Sequence, residues 1–338
     1  MKSSNVISLG EALIDRLGPI GGDPYFDKPV TDCFGGAPAN VACALSRLGV
    51  NVSFIGSVGN DAFGKNFKNL MIQRGINTIG LQEDKLRPTR IVLVRRDAYG
   101  ERFFGGFEGD QGKGFADQAI LREQIIKDWP LIVGQAKWLI IGTIPLAYTI
   151  SSDAFLWCIE NALKEGIRIA IDLNWRPTFW RNSVSKVLTP SLQEKEKINS
   201  ILEHVSLIKL AKEEAQFFFK TCEPRKISLS LPQKPSVIVT NGSHPVDWLI
   251  NNNLGKSKSI SLSKIVDTTG AGDAFTAGLI YKILSYDIDQ IDQDIAKNII
   301  QFAISCGAHV CQGIGAIESQ PYLEDVERIL SQVEGGTS

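Results

Sequence analysis

Val266-Asp267-Thr268-Thr269-Gly270-Ala271-Gly272-Asp273-Ala274-Phe275-Thr276-Ala277-Gly278 joins a polar, turn-rich segment to a helical one. From Ala274 to Leu284 the apolar residues Phe275, Leu279, Ile280 and Ile283 have the spacing of a helix with one buried face. Gly270 and Gly272 therefore stand where a loop becomes a helix. Glycines there let the backbone approach a ligand and turn successive N–H groups toward it. The first N–H groups of a helix lack internal partners and the dipole adds positive potential, so the stretch predicts an anion site. Asp273 fits in two ways. It is a cap on the first turn, worth roughly 0.5–2 kcal/mol, or a base facing the group that attacks the anion. Beside a positive helix end its pKa is expected to stay low.

Toward the N-terminus, Val6 to Leu9 is a short apolar run stopped by Gly10-Glu11, the pattern of a buried central strand. Ala12 to Asp15 is expected to continue it and to deliver a carboxylate past its end. Ligands collect at the carboxyl ends of strands in open α/β sheets, so Asp15 is either a strand-end residue or a ligand-binding one. Gly35-Gly36 precedes a second helical stripe, Val41, Ala44, Leu45 and Leu48, with Asn40 in its first turn. Pro38 suits the first helical position and Gly49 the stop. Asn51 to Gly64 reads strand, turn, helix, with Asp61 as the expected helix cap.

Thr89 to Arg95 and Glu101 to Phe107 alternate like two strands about a turn at Asp97-Ala98-Tyr99-Gly100. With the Asp23-to-Thr31 region they predict a small β-sheet outside the main one. Its arginines (Arg90, Arg95, Arg96, Arg102) are expected to be mostly solvated. Gly105-Gly106 and Gly109 to Gly114 read as flexible connectors. The latter is no phosphate-binding P-loop, because it lacks Gly-Lys-Ser/Thr and no apolar strand feeds it.

From Trp138 onward strands and helices alternate, which predicts a parallel sheet. Trp138 to Ile141 is a strand, Phe155 to Leu163 a helix, and Ile167 to Leu173 a strand delivering Asn174-Trp175-Arg176-Pro177. Leu207 to Ala211 is a strand running into Lys212-Glu213-Glu214, and Val237 to Thr240 another ending at Asn241-Gly242. Ile295 to Val310 is a helix, Gln312 to Ala316 a glycine turn, and Glu324 to Val333 a last amphipathic helix after Pro321.

At 338 residues the chain is long for one domain, but α/β folds reach this size with a lid or insertion. Hydrophobic content of 43% and charge of 22% are those of an ordinary globular protein. A net charge of −1 argues against nucleic acid or an anionic membrane as the main partner. The six cysteines are scattered without a Cys-x-x-Cys pair, so they read as reduced thiols of a cytosolic protein. No signal-like run opens the chain, and no apolar stretch approaches the ~18 residues that span a bilayer. The expected location is the cytoplasm. His204, His244 and His309 lack metal-ligand spacing and are given no catalytic role.

Asp-Thr-Thr-Gly-Ala-Gly-Asp-Ala-Phe, at 267–275, closely resembles the C-terminal signature of the ribokinase-like (PfkB) carbohydrate kinases. Gly35-Gly36-Ala37-Pro38-Ala39-Asn40-Val41-Ala42 resembles their N-terminal motif, in the wording closest to fructokinases. Val58-Gly59-Asn60-Asp61-Ala62-Phe63-Gly64 resembles a third family segment. Asn174-Trp175-Arg176 is similar to the Asp-x-Asn-x-Arg strand end of fructokinases and ketodeoxygluconate kinases. Glu214 matches the family's Asn-x-x-Glu, although Ala211 stands at the Asn position. Thr240-Asn241-Gly242 matches Val-Thr-x-Gly beside the nucleotide.

The resemblance covers roughly Val6 to Val333, with the motifs in family order. It implies one ribokinase-like domain over 1–338: a doubly wound, mainly parallel α/β sheet with helices on both faces. A β lid is expected at about 12–34 and 88–108. It also implies an ATP-dependent sugar kinase, most closely one making fructose 6-phosphate from fructose. The alternatives are another sugar (2-keto-3-deoxygluconate, aminoimidazole riboside or ribose) or a catalytically silent sugar- or nucleotide-binding scaffold. For a carboxylate-bearing sugar, Arg90 or Arg176 would supply the cation.

Carried over residue by residue, the amides of Gly270, Ala271 and Gly272 would hold the transferring phosphoryl, and Asp273 would take the hydroxyl proton. Asp15, Gly35, Gly36 and Asn40 would bind the sugar, with Asn174 and Arg176 either beside sugar or phosphate or locking their own loop. Thr240, Gly242 and Glu214 would serve the nucleotide. Magnesium would arrive with ATP. Asp267 and Thr269 match the family's potassium site, which Gly315 and Ser319 would complete. Family members also suggest a homodimer formed through the lid.

Overall fold

The computed structural model describes residues 5–97, 102–181, 187–262 and 264–335. Strand β1 (Val6–Leu9) lies within the main sheet, whereas β2 (Leu13–Ile20) and β3 (Thr31–Gly35) belong to a second, smaller one. Helix α1 (Ala37–Arg47), β4 (Val52–Gly59), α2 (Ala62–Gln73) and β5 (Leu81–Asp84) return the chain to the main sheet. Strands β6 (Ile91–Arg96) and β7 (Arg102–Glu108) complete the smaller one. Then follow α3 (Arg122–Val133), β8 (Trp138–Ile141), α4 (Thr149–Lys164), β9 (Arg168–Asp172), α5 (Pro177–Arg181) and α6 (Leu192–Leu202). The succession continues with β10 (Leu207–Ala211), α7 (Lys212–Phe219), α8 (Pro224–Leu229) and β11 (Ser236–Asn241). Strands β12 (His244–Ile250) and β13 (Asn253–Ser257) precede α9 (Ala271–Ile283), α10 (Gln293–Val310) and α11 (Leu323–Gly335).

The main sheet has the order β13-β12-β11-β10-β9-β8-β1-β4-β5 and is parallel from β11 to β5. Parallel strands are covered on both faces and so read as unbroken apolar runs, as β1, β4 and β8 do. One core, with Phe54, Phe67, Leu279 and Ile300, packs α1, α2, α9 and α10 on one face. The other, with Phe155, Ile159, Ile198 and Ile208, packs α4 and α6 on the opposite face. This is the doubly wound α/β architecture expected. Antiparallel β12 and β13 extend one edge through Asn251 and Asn252, both at positive φ.

The smaller sheet runs β3-β2-β6-β7. It corrects the expectation for Ala12 to Asp15, which does not prolong β1. Gly10 breaks the strand, and β2 instead pairs with Cys33 and Val92 at Asp15. The strands on this side are 13–20 and 31–35, with Asp23 to Pro29 in the connection between them rather than in the sheet. Gly105-Gly106 is also no connector but part of β7, opposite a bulge at Leu93/Val94. The turn expected at 97–100 falls mostly outside the described residues. Around 109–114 the loop is tied to Asp110, which accepts the N–H groups of Gly112 (2.8 Å) and Gly114 (2.9 Å).

Pro38 is the second rather than the first residue of α1. Asp61 caps α2 as expected, accepting the Gly64 N–H at 2.8 Å. Helix α9 starts at Ala271, three residues before its apolar stripe, with Gly270 at the N-cap in the left-handed region (φ 80°). A side chain at Gly270 would also collide with Ala316, 2.6 Å away, so the turn needs glycine twice over.

Candidate active site

A cavity of about 480 Å³ opens at the carboxyl ends of the parallel strands, beneath the small sheet. It brings together Asp15, Gly36, Asn40, Asn174, Arg176, Thr269, Gly270, Gly272 and Asp273 from motifs far apart in sequence. Its apolar wall is Leu13, Val92, Phe104, Ile144 and Phe179. Gly35 is not part of the cavity wall, and a side chain there would press on the Asp15 carboxylate and displace it. Gly36 (φ 103°) carries the chain into α1 against the Glu11 carbonyl.

The cap reading of Asp273 fails, because Gly270 holds the N-cap and no side chain caps α9. Asp273 is the third helical residue, and Asn40 Nδ2 donates to its Oδ2 at 2.7 Å. That bond joins the two glycine motifs across 233 residues. The low pKa expected for Asp273 is also corrected. Desolvation within the cavity, then Asp172, push it up to about 6, against Asn40, Lys209 and Arg176. The positive helix end does not outweigh the loss of water. At neutral pH the carboxyl is mainly ionised and a far better base than an ordinary aspartate.

Of the loop amides, Ala271 already donates to the Thr268 carbonyl at 3.2 Å. Among the described residues the N–H groups of Gly270, Gly272 and Asp273 have no acceptor, so of the three expected anion donors Ala271 alone is already engaged, and Asp273 adds one.

Two residues that the motifs did not single out complete the charge pattern. Lys209, on β10, lies opposite Asp172 on β9 in register, and its Nζ donates to Asp172 Oδ2 at 2.8 Å. Thr276 Oγ1 donates to the same oxygen at 3.0 Å. A methyl group on Gly272 would lie 3.1 Å from Lys209 Nζ, so the ammonium sits directly beneath the anion loop. Burial pulls the Lys209 pKa down, but Asp172, with Glu214 and Asp273, holds it above the ordinary lysine value. Glu11 is the second addition: it lines the cavity, is 2% exposed, and burial pushes its pKa up to about 8. The available signal was a lone charged residue inside an apolar run, in Leu-Ile-Lys209-Leu as in Leu-Gly-Glu11-Ala-Leu.

Other expected residues sit apart from the cavity wall. Glu214 is buried, accepting the Trp175 N–H at 2.6 Å and the Ala211 N–H at 2.7 Å. It therefore holds the Asn174–Arg176 loop against α7. Asn174 itself has φ 43°, a strained conformation that asparagine tolerates better than most. Thr240 is the penultimate residue of β11, donating to the Leu210 carbonyl at 3.4 Å, and Gly242 (φ 54°) turns into β12. Asp267 gathers the potential cation loop, accepting the N–H of Thr269 at 3.0 Å and of Gly315 at 3.1 Å. Ser319 Oγ donates to the Ile314 carbonyl at 2.8 Å. Arg90 is not solvated and does not line the cavity. It is fully buried against Asp117 (2.8 and 3.0 Å) and the rings of Phe107, Phe115, Tyr148 and Phe179. It pins the small sheet to the body of the molecule.

Chemically, the cavity offers unpaired amides, a helix N-terminus and a buried ammonium to an anion. Beside them stand one carboxylate base and a set of polar groups suited to hydroxyls. The family model described as "pfkB family carbohydrate kinase" matches residues 3–323. The chain is 30% identical to fructokinase-2 of Solanum lycopersicum over 339 residues, covering 99% of this chain and 97% of that one. Its fold is similar to that of a fructokinase from Xylella fastidiosa with bound ATP (TM-score 0.80, 24% identity, 99% of each chain). It is also similar to a double mutant of the fructokinase from Vibrio cholerae O395 in fructose-, ADP- and potassium-bound form (TM-score 0.78, 24% identity, covering 96% of this chain and 98% of that one).

Proposed function

The chain belongs to the pfkB family of carbohydrate kinases, and from that premise we propose that it transfers the γ-phosphoryl group of ATP to the 6-hydroxyl of fructose. The observation that carries the mechanism is the Asn40–Asp273 bond, which sets a base with a pKa of about 6 beside free loop amides. The sugar oxygen attacks the γ-phosphorus, the bond to the β-phosphate oxygen breaks, and ADP leaves. Asp273 accepts the hydroxyl proton. The Gly272 and Asp273 amides and the Lys209 ammonium face the charge spread over the transferring group. Asp15, Gly36 and Asn40 orient the sugar. Thr240 and Gly242, at the end of β11, flank the nucleotide, and Glu214 acts by holding the Asn174–Arg176 loop.

When bound, magnesium would neutralise the nucleotide phosphates. Among the described residues no group of three or more carboxylate, histidine or cysteine side chains could hold a metal ion, which fits an ion delivered with its nucleotide, and Asp267, Thr269 and Gly315 fit a monovalent cation that orders the anion loop. Reaction in the cytoplasm and self-association through the exposed lid residues Tyr25 and Phe26 belong to the same proposal. Cell fractionation and sedimentation test those two points. Among the described residues no helix is long and apolar enough to cross a membrane.

A panel of sugars assayed for ADP release tests the substrate. Fructose should be turned over fastest and carry its phosphate on O6. A tenfold higher kcat/KM for ribose or ketodeoxygluconate would replace the sugar and keep the kinase. Arg176, exposed on the cavity wall, is the cation that would then meet a carboxylate.

The cation loop gives a second expectation. Exchanging potassium for a large organic cation at constant ionic strength should slow turnover, and Asp267→Ala should blunt that response. Equal rates in the two buffers would remove the cation from the mechanism.

A further inference from the structure

Two side-chain oxygens of the cavity residues, Glu11 Oε2 and Asn40 Oδ1, have no hydrogen-bond partner among the described residues. Both side chains are deeply buried, Glu11 at 2% and Asn40 at 4% exposure. Buried polar atoms in native structures are nearly always satisfied, so an orphan on a side chain that lines a cavity calls for a partner from outside the protein. The orientation of Asn40 is fixed by its Nδ2 bond to Asp273, which leaves Oδ1 as the free acceptor. Glu11 is anchored at its other oxygen, where Oε1 accepts the N–H of Ala37, the first residue of α1, at 3.0 Å. The carboxyl is thus held rigidly between the helix start and the cavity.

We propose that Glu11 is a sugar-binding residue whose Oε2 completes a hydrogen bond with one hydroxyl of the sugar, next to the hydroxyl received by Asn40 Oδ1. The inference rests on the sugar-kinase reading above. The groups facing Glu11 decide the direction of its bond. Asp117, paired with Arg90 just before β6, and Asp273 of α9 oppose a second negative charge, while the amides of Glu11 itself and Ala37 favour one. Burial is the largest influence and, with the two carboxylates, keeps the proton on Glu11 at neutral pH. Glu11 is then a donor and Asn40 Oδ1 an acceptor, on side chains that line the same cavity. Such a pair reads hydroxyl positions on a polyol and rejects an analogue that lacks one.

The test compares wild type, Glu11→Leu and Glu11→Gln by calorimetry and kinetics, using the best sugar of the panel and its single-deoxy analogues. Glu11→Leu should raise Kd and KM for the sugar about tenfold or more, the loss of one buried hydrogen bond. KM for ATP should stay within twofold. The decisive readout is that the penalty for deleting one particular hydroxyl, present in wild type, disappears in Glu11→Leu. Glu11→Gln, which keeps shape and a donor, should recover most of the loss and abolish the rise in sugar KM that wild type shows above about pH 8. If every deoxy analogue suffers the same penalty in Glu11→Leu as in wild type, Glu11 merely props α1 and the inference is overturned. Should Glu11→Leu not fold, an alkaline KM rise in Glu11→Gln equal to that of wild type overturns it instead. A wild-type protein that neither phosphorylates nor binds any sugar would sink the kinase reading itself.

Discussion

Asp273→Asn should yield a folded, slightly more stable protein whose kcat is lower by roughly 10²–10⁴, the usual share of general-base catalysis. The amide keeps an oxygen for Asn40 Nδ2, which donates to Asp273 at 2.7 Å, but it cannot take the hydroxyl proton. Stability should move the other way, and the sign follows from the pKa. In the folded protein the carboxyl titrates at about 6, raised from 3.8 chiefly by desolvation. A group with a raised pKa supports the fold below its unfolded value and loses that support as pH climbs through the folded value. Above pH 6 the ionised Asp273 is therefore a cost, of order 2–3 kcal/mol at most, which asparagine removes. Wild-type kcat should fall on acidification below about pH 6, and this limb should be missing in the residual activity of the variant. Calorimetric binding of sugar and ATP should survive, since the other groups of the site remain. A folded Asp273→Asn protein with near-normal kcat would overturn the base assignment, and a large drop in Tm would revive a structural role.

Much of this site was legible in the sequence because each glycine motif carries its own local physics. Gly270-Ala271-Gly272-Asp273 and Gly35-Gly36 precede helical stripes, and helix starts beside glycine turns are anion- and ligand-facing wherever they occur. The strand–helix alternation gave the parallel sheet for the same reason: each element's period is local. What escaped was set by pairing. Ala12 to Asp15 looked continuous with β1, because nothing in those four residues reveals that Cys33 and Val92 are their partners. Hairpin β12–β13 is announced in the sequence only by the turn residues Asn251-Asn252. Arg90 looked solvated because its carboxylate, Asp117, lies 27 residues on and its aromatic cage is assembled from separate segments. The helix dipole alone predicts the wrong direction for the Asp273 pKa. Desolvation depends on how completely the cavity closes around the group, which only the assembled fold shows.

The Lys209–Asp172 pair leads to the second large effect. Lys209→Met should lower kcat by about 10²–10³, the scale of losing one preorganised charge or donor at the reacting group. Two consequences compound. The anion loop loses the ammonium lying beneath Gly272. Asp273 loses one of the charges that lower its pKa while Asp172, which raises it, stays. The acid limb of the kcat profile should therefore shift upward from about pH 6 toward neutrality. Breaking a buried pair strands the remaining charge and typically costs 3–5 kcal/mol, so the single variant will be less stable and cannot by itself separate chemistry from folding. The double variant Lys209→Met/Asp172→Asn can. It strands no charge, keeps a hydrogen-bonding partner for Thr276, and should regain most of the lost Tm. The acid limb should return to about pH 6 or below, because the neighbour that raised the Asp273 pKa has also gone. If Lys209 only balances Asp172, kcat should return with stability. If it stabilises the phosphoryl group, kcat should stay at least tenfold down in a protein as stable as wild type. A double variant that matches wild type in both would reduce Lys209 to a counter-ion and leave the loop amides to hold the phosphoryl group alone.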